Sequence, residues 1–155
     1  MEIEKKMQDM GLEFVPPPGP GGVANIVRCV RTGNLLYFSG TGPRYRDGNT
    51  PKGKIGKDFT LEQGYEFARQ AALNLLSRLK EQIGDLDKVN RIVKLLCMIN
   101  CTPEFSDQAR VANGASDLLV RLYDDRGRHA RSAVGMVSLP NQMPIEIEMI
   151  VEVTE

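Results

Sequence analysis

The stretch that decides the fold is ARSAVGMVSLPNQMPIEIEMIVEV, residues 130–153, in which two β-type runs flank the turn sequence PNQM. Alternation in each run has the period of a strand with one buried face. The residues expected on the helix-covered face are Ser132, Val134, Met136 and Ser138, then Ile147, Met149, Val151 and Val153. We therefore expect a hairpin whose other face carries small residues and charges, including Arg131, Ala133 and Glu146.

Two helices and three strands are predicted before this stretch. Thr60 and Gln63 have the spacing of a capping box, at the start of an amphipathic helix that runs to Gly84. A strand follows over residues 89–100, and a second helix over residues 106–125. Nearer the start of the chain, the runs IVRCVR and LLYFSG are joined by TGN, which is typical of a hairpin.

The predicted order is β-β-α-β-α-β-β, an α+β fold with both helices on one face of a single mixed or antiparallel sheet. The other face needs a cover that no third long helix supplies, which favours oligomerisation, and exposure to solvent is the alternative. Residues 2–10 are expected to form a short helix. The proline-rich run after it separates an N-terminal extension, residues 1–15, from the main domain, residues 16–155.

Composition argues against several classes of function. A length of 155 residues fits one domain, and 20 basic against 20 acidic residues leave no net field to attract nucleic acid or an anionic membrane. No apolar run approaches the ~20 residues that span a bilayer. The first residues lack the apolar region of a secretory signal, so we expect a cytoplasmic location. Three cysteines and one histidine do not make a zinc-binding set, and no metal is expected.

Three motifs have a functional and a plainer interpretation. GNTPKGKI, residues 48–55, partly matches a phosphate-binding loop, but Ile55 stands where a Ser or Thr is required and Pro51 lacks an amide donor. A mobile loop is therefore expected there. The basic residues of 121–131 are interleaved with aspartates and have no aromatic ladder, which disfavours RNA binding. His129 has no nucleophile in a recognisable motif, so we expect a histidine at the end of a loop.

Arg131 and Glu146 are the candidates for chemistry. A guanidinium offers a planar fork that matches a carboxylate, and a glutamate can position and activate water. If the hairpin turns near residues 141–142, Arg131 lies opposite residue 152, six residues from Glu146, which is roughly 20 Å at strand rise. A site that uses both side chains would then combine residues from two subunits.

From Asn34 onward the chain resembles the RidA/YjgF family of imine and enamine deaminases. The resemblance rests on LLYFSGTGP, residues 35–43, on the Arg-Ser, Leu-Pro and I-E-I-E features of residues 130–153, and on the spacing from Arg131 to Glu146. It implies a chorismate-mutase-like fold assembled as a homotrimer, with sites in clefts between subunits and neither metal nor organic cofactor. The implied substrates are small carboxylates, enamines and imines of 2-amino acids such as 2-aminoacrylate and 2-iminobutyrate, hydrolysed to a 2-keto acid and ammonia.

The resemblance also implies roles for individual residues. Arg131 would bind the substrate carboxylate, and Glu146 would position the attacking water. The residues that would line the pocket are Ser39, Gly40, Asn113 and the backbone at Ala133. Many members have a tyrosine after Gly-Pro near the N-terminus, whereas this chain has GPGG at residues 19–22. The pocket is therefore expected to be wider, or to be closed by Tyr45 or the N-terminal extension.

Two alternatives to the deaminase are open. One is a non-catalytic trimer that holds a carboxylate or keto acid on Arg131 and has a regulatory role. The other is a ribonuclease or an inhibitor of translation, which the zero net charge and the lack of an acid–base constellation for RNA cleavage disfavour.

Overall fold

The computed structural model describes residues 1–19 and 25–155. The elements are α1 (Glu2–Asp9), β1 (Cys29–Thr32), β2 (Leu35–Thr41), α2 (Leu61–Ile83), β3 (Val89–Asn100), α3 (Gln108–Tyr123), β4 (Ala130–Met136) and β5 (Ile145–Val153). This order confirms the predicted β-β-α-β-α-β-β arrangement, preceded by the short helix. None of the described helices is long and apolar enough to cross a membrane.

The five strands form one mixed sheet in the order β1-β2-β5-β3-β4. β1 and β2 form the expected hairpin, in which Thr32 pairs with Leu35 and Gly33 takes a φ of 57°. β5 is antiparallel to both of its neighbours, β2 and β3, whereas β3 and β4 are parallel and are connected through α3. A parallel pair needs such a crossover connection, because a tight turn cannot join strands that run the same way.

The predicted hairpin of β4 and β5 is wrong, because β3 lies between the two strands. A hairpin of adjacent strands normally turns within 2–5 residues. Residues 137–144 instead cross the end of β3, where the N–H of Asn100 donates to the carbonyl of Pro144 at 2.9 Å. Arg131 is consequently level with Leu95 and Met149 rather than with residue 152.

The faces of β4 are also the reverse of the prediction. The helix side carries Arg131, Ala133 and Gly135, and the open side carries Ser132, Val134 and Met136. Arg131 pairs with Leu95, which is fully buried. α3 and the residues before it pass so close that a Cβ at Gly135 would lie 3.0 Å from Sγ of Cys101 and 3.1 Å from Nε2 of Gln108. Small residues on β4 therefore face the helices.

The face prediction for β5 is confirmed, since its alternate residues Ile147, Met149, Val151 and Val153 are all buried. The open face of the sheet combines half-buried apolar side chains with charged ones. The apolar side chains include Ile150 on β5, Leu96 and Met98 on β3, and Val134 on β4. The charged ones include Glu146 and Glu148 on β5. Whether a second subunit covers this face stays a prediction.

α2 and α3 pack together on the other face. α2 begins at the expected capping box, in which the N–H of Gln63 donates to Oγ1 of Thr60 at 3.1 Å and the N–H of Thr60 donates to Oε1 of Gln63 at 2.9 Å. The two helices approach closely at Gly114, where a Cβ would lie 2.8 Å from the carbonyl carbon of Tyr65. Glycine at this position is therefore needed for packing despite its poor helix propensity.

α1 packs on the same core, with Ile3 and Met7 buried. Lys80 on α2 donates to Glu4 at 2.7 Å, and Asp87 accepts the backbone N–H groups of Glu2 and Ile3 at 2.7 and 2.8 Å. These bonds hold the first helix against the end of α2 and the turn that follows it.

Candidate active site

Arg131 is anchored on α3 by three acceptors. Its Nη1 donates to Oδ1 of Asn113 at 2.9 Å and to Oγ of Ser116 at 3.0 Å, and its Nη2 donates to the carbonyl of Ala109 at 3.2 Å. The side chain is half-buried at the edge of the sheet. A guanidinium has five N–H groups. Within the described part of the chain, these bonds leave the Nε group and one N–H of Nη2 for an anion.

Ser116, which accepts a hydrogen bond from Arg131, is itself hydrogen-bonded to His129. Nδ1 of His129 lies 2.6 Å from the carbonyl of Gly127, which can only accept, so Nδ1 carries the proton. Nε2 then accepts the hydroxyl proton of Ser116 at 2.8 Å. Burial lowers the pKa of His129, and the charge of Arg131 lowers it further. The imidazole is thus held neutral, and the Ser116 oxygen is free to accept from Arg131.

His129 was predicted at the end of a loop, whereas no role was predicted for Ser116. Ser116 lies on the second helix, 13 positions before His129, outside any motif that couples a serine to a histidine. The available signal is helical spacing, because Asn113 and Ser116 are three residues apart and share a face. Asn113 was predicted as a pocket residue, and the structure places it on Arg131.

A cavity of about 470 Å³ opens further along the same face of β4. Arg131, Ala133 and Gly135 follow one another on that face, and Gly135 lines the cavity with Cys101 and Gln108. Ala133 lies between the arginine and the cavity, as a small half-buried residue beside Cys97. Burial raises the pKa of the Cys97 thiol to about 12, so it stays protonated at neutral pH.

Glu146 lies on the open face of β5 against Gly40. Its neighbours Ile145 and Ile147 are buried in the core, so its own side chain points the other way. A Cβ at Gly40 would lie 2.8 Å from Cδ and 2.9 Å from Cγ of Glu146, so only glycine leaves room for this carboxylate. Burial raises the pKa of Glu146, and the negative charge of Glu148 raises it further.

Ser39 and Gly40 lie where the pairing of β2 with β5 shifts in register, between Phe38 and Thr41. The hydroxyl of Ser39 donates to the carbonyl of Val27 at 2.7 Å, and its N–H donates to the carbonyl of Arg28 at 3.0 Å. Ser39 therefore holds the segment before β1 beside Gly40, and Gly40 contacts Glu146.

The structure thus divides the predicted site residues into two groups. Arg131, Asn113 and Ala133 lie on the helix side, whereas Glu146 and Gly40 meet on the open side, with Ser39 beside them. Arg131 and Glu146 are about 14 Å apart at Cα, counting two strand spacings and three residues of rise. The GPGG stretch lies mostly outside the described residues, so the closure of the pocket in its place stays a prediction.

One group of carboxylates has the spacing of a cation site. Oxygens of Glu4, Asp85 and Asp87 lie within 4.8 Å of one another. Their oxygens accept from Lys80 and from backbone N–H groups, as at the N-terminus of α1. These bonds engage each of the three carboxylates, whereas Oε2 of Glu4 is buried without a hydrogen-bond partner among the described residues.

Comparison with known proteins agrees with this architecture. A family model described as "YjgF/chorismate_mutase-like, putative endoribonuclease" matches residues 8–153. The chain belongs to the YjgF family. The match includes both groups of candidate residues, and it confirms the resemblance and the chorismate-mutase-like fold.

Three relatives each match 86% or more of the chain. Protein TCP17 of Trypanosoma cruzi is 36% identical over 151 residues, which cover 97% of this chain and 93% of the relative. "Putative regulator AldR" of Lactococcus lactis is 31% identical over 134 residues, covering 86% and 91%. A crystal structure from Shewanella oneidensis with the same endoribonuclease description superposes with a TM-score of 0.91 at 27% identity, covering 99% of this chain and 100% of the other.

Proposed function

We propose that this YjgF protein hydrolyses imines and enamines of small 2-amino acids to a 2-keto acid and ammonia. The observation that carries the proposal is the anchoring of Arg131, whose guanidinium is fixed by Asn113, Ser116 and Ala109. Its remaining N–H groups lie at a strand edge, and Gly135, four residues further along the same strand, lines an open cavity. A guanidinium held in this way is suited to a planar carboxylate, which every 2-amino-acid imine carries.

The reaction requires only that the substrate and the attacking water are oriented and that one side chain transfers protons. Arg131 holds the substrate carboxylate, and Glu146 takes a proton from water as its oxygen adds to the C=N carbon. The same carboxyl group then returns the proton to nitrogen, which gives a carbinolamine. It next carries the hydroxyl proton of the carbinolamine to the amino nitrogen, so that the C–N bond breaks as the C=O forms and ammonia leaves. An enamine substrate first becomes the imine by moving a proton from nitrogen to its β-carbon. A raised pKa suits Glu146 to both steps, since a group that gives and takes a proton works best with a pKa near the working pH.

Opposite faces of one sheet cannot hold one small substrate, so the proposal includes a homotrimer with sites between subunits. β4 is an edge strand whose outer backbone groups have no partner strand in the described chain. The open face around Glu146 carries half-buried apolar side chains such as Leu96 and Met98. An edge of one subunit placed on the open face of the next would bring Arg131 and Glu146 to one cleft.

The test follows keto-acid release from 2-iminobutyrate and 2-aminoacrylate generated in situ. We expect acceleration over buffer that Arg131→Ala and Glu146→Gln remove while the oligomer persists. Arg110→Ala is the matched control, because Arg110 is an exposed arginine on α3, the helix that holds Arg131. Among the described residues its ion pair is with Asp107, at 3.8 Å. Acceleration that survives both substitutions would refute the proposed roles.

A second candidate is a carboxylate-binding regulator without catalysis. The name of the Lactococcus lactis relative, "Putative regulator AldR", favours it. In that case the intact protein would bind 2-keto acids through Arg131 and give no acceleration.

The endoribonuclease description of the family is tested in the same preparation with a single-stranded RNA. Equal numbers of basic and acidic residues lead us to expect no cleavage.

A further inference from the structure

A second cavity lies on the helix side of the sheet, at the end of β2. Its volume is about 250 Å³, and α2, the loop after β2 and the segment around residues 15–18 enclose it. β2 is three strands from β4, so the cavity is roughly 14 Å from the strand that carries Arg131. It is also on the face opposite to Glu146. The proposed deaminase chemistry therefore does not use it.

Three cations line this cavity: Arg78 on α2, and Arg44 and Lys52 in the loop. Nη1 of Arg78 donates to Oγ1 of Thr41 at 2.5 Å, and Arg44 donates to the carbonyl of Pro16. These partners are neutral. In the described part of the chain, no carboxylate forms an ion pair with Arg78, Arg44 or Lys52.

The cations also repel one another. Burial lowers the pKa of Arg78, and the positive charges of Arg28 and Arg44 lower it further, with Glu81 opposing. Arg28 donates to the carbonyls of Pro18 and Gly19, so it too is bound to neutral acceptors. An anion in the cavity would relieve this repulsion.

The walls of the cavity are fixed by buried side chains of α2. Asn74, which is 7% exposed, donates to the carbonyls of Gly42 and Arg44 at 3.1 and 3.2 Å. Ser77, which is 5% exposed, donates to the carbonyl of Val15 at 2.9 Å. The loop and the N-terminal segment are thereby held in place before any ligand arrives, which reduces the entropy lost on binding.

Residues 48–55, which partly match a phosphate-binding loop, contribute side chains to this cavity and no backbone amides. The backbone N–H of Gly53 donates to the carbonyl of Gln142 at 2.8 Å, and that of Lys54 donates to Asp58 at 2.8 Å. These amides are engaged and cannot cradle a phosphate. The loop instead brings Lys52 to the cavity.

We propose that this cavity binds a small phosphate monoester. Three cations without acidic partners match a dianion better than a single carboxylate. The rest of the lining includes the rings of Pro17, Pro18, Pro43 and Pro51, which offer a flat apolar surface. The volume admits a short apolar or aromatic group beside the phosphate.

Calorimetric titration with phenyl phosphate, in a buffer free of phosphate, tests the proposal. We expect saturable binding that Arg78→Leu weakens by about tenfold or more, as for loss of a charge-assisted hydrogen-bonding group. Lys52→Gln should weaken it several-fold. Lys57→Gln is the matched control in the same loop, because Lys57 is exposed and does not line the cavity. Inorganic phosphate and benzoate should bind more weakly than phenyl phosphate.

Three results would overturn the proposal. The first is absence of binding to the intact protein, and the second is equal affinity in the Lys52→Gln and intact proteins. The third is binding that Arg131→Ala abolishes, which would assign the phosphate to the other site. Lys52 is exposed, so we expect the Lys52→Gln variant to fold. This variant tests the proposal even if Arg78→Leu does not fold. The titration does not measure deaminase activity. Failure of the phosphate proposal can therefore be distinguished from failure of the deaminase proposal.

Discussion

Arg131 and Glu146 point to opposite faces of one sheet, and β3 runs between their strands. If both act on one substrate, each site takes its arginine from one subunit and its glutamate from another. Arg131→Ala and Glu146→Gln should then complement each other when they are mixed in one oligomer. With random mixing at equal amounts, about a quarter of all sites would have both native residues, and about a third of the sites in trimers that contain both variants.

Co-expression of the two variants with different tags, followed by tandem purification, provides the mixed oligomers. Activity of each pure variant is the baseline. Mixed oligomers that stay at this baseline would contradict a shared site and would leave the two residues without a common substrate.

Glu146→Gln is expected to reduce activity by about 10²–10⁴-fold, as for loss of a group that transfers protons. The same substitution is not expected to reduce the stability of the folded protein at neutral pH. The folded-state pKa of Glu146 is raised, so folding favours the protonated form, and this contribution is lost as pH rises through that pKa. At neutral pH the variant should be at least as stable as the native protein. Thermal unfolding from pH 4 to 8 checks this, and the gap should narrow toward the acid end.

Gly40→Ala tests whether the position of Glu146 matters. The new methyl group would displace the glutamate side chain, which can move, while the backbone need not. We expect activity to fall by about tenfold or more, because orientation of the reacting groups is lost, with a small change in melting temperature. In the double variant with Glu146→Gln, the glycine substitution should cost no further activity; an additive loss would show that it acts by another route.

His129 should make stability depend on pH in the opposite direction from Glu146. Its folded-state pKa is lowered, so its contribution is present above its ordinary value of 6.5 and is lost as pH falls through the folded-state pKa. His129→Gln removes this dependence. The native protein should therefore lose more stability than the variant between pH 7 and 5 in urea unfolding, and parallel curves would mean that the imidazole titrates as in an unfolded chain.

Gly114→Ala should destabilise the fold strongly, because its Cβ would collide with the backbone of Tyr65 on α2, which cannot rotate away. Overpacking of this kind costs about 3 kcal/mol, which lowers Tm by roughly 10 °C in a chain of this size. Gly19→Ala is a suitable control, since nothing lies within 4 Å of its added Cβ. A melting temperature unchanged by Gly114→Ala would mean that the helices can separate at little cost.

The limits of sequence reasoning are visible in the two last strands. In β5, isoleucine and valine alternate with glutamate, so the buried face is unambiguous and was predicted correctly. In β4, nearly every residue is small or aliphatic, and alternation carries no information about which face meets the helices. Strand partners are a long-range property as well. Local pattern predicted both strands but joined them as a hairpin, because nothing in residues 130–153 encodes the insertion of β5 beside β3.

The same distinction applies to the two sites. Arg131 and Glu146 were candidates from the chemistry of their side chains, and a family resemblance assigned both of them, with Asn113, to the site. Ser116 and Arg78 were missed, because a serine or an arginine on a helix is ordinary until its neighbours are known. The cavity around Arg78 is assembled from residues 15–18, 41–52 and 74–78, which only the folded chain brings together.

The central place of β5 sets the timing of assembly. This strand follows the other four along the chain, yet it forms hydrogen bonds to β2 on one side and to β3 on the other. As the polypeptide leaves the ribosome, the two halves of the sheet have no common edge until residue 153 has emerged. The protein must then fold around its last strand, and a chain stopped before residue 145 should be a substrate for chaperones and proteases.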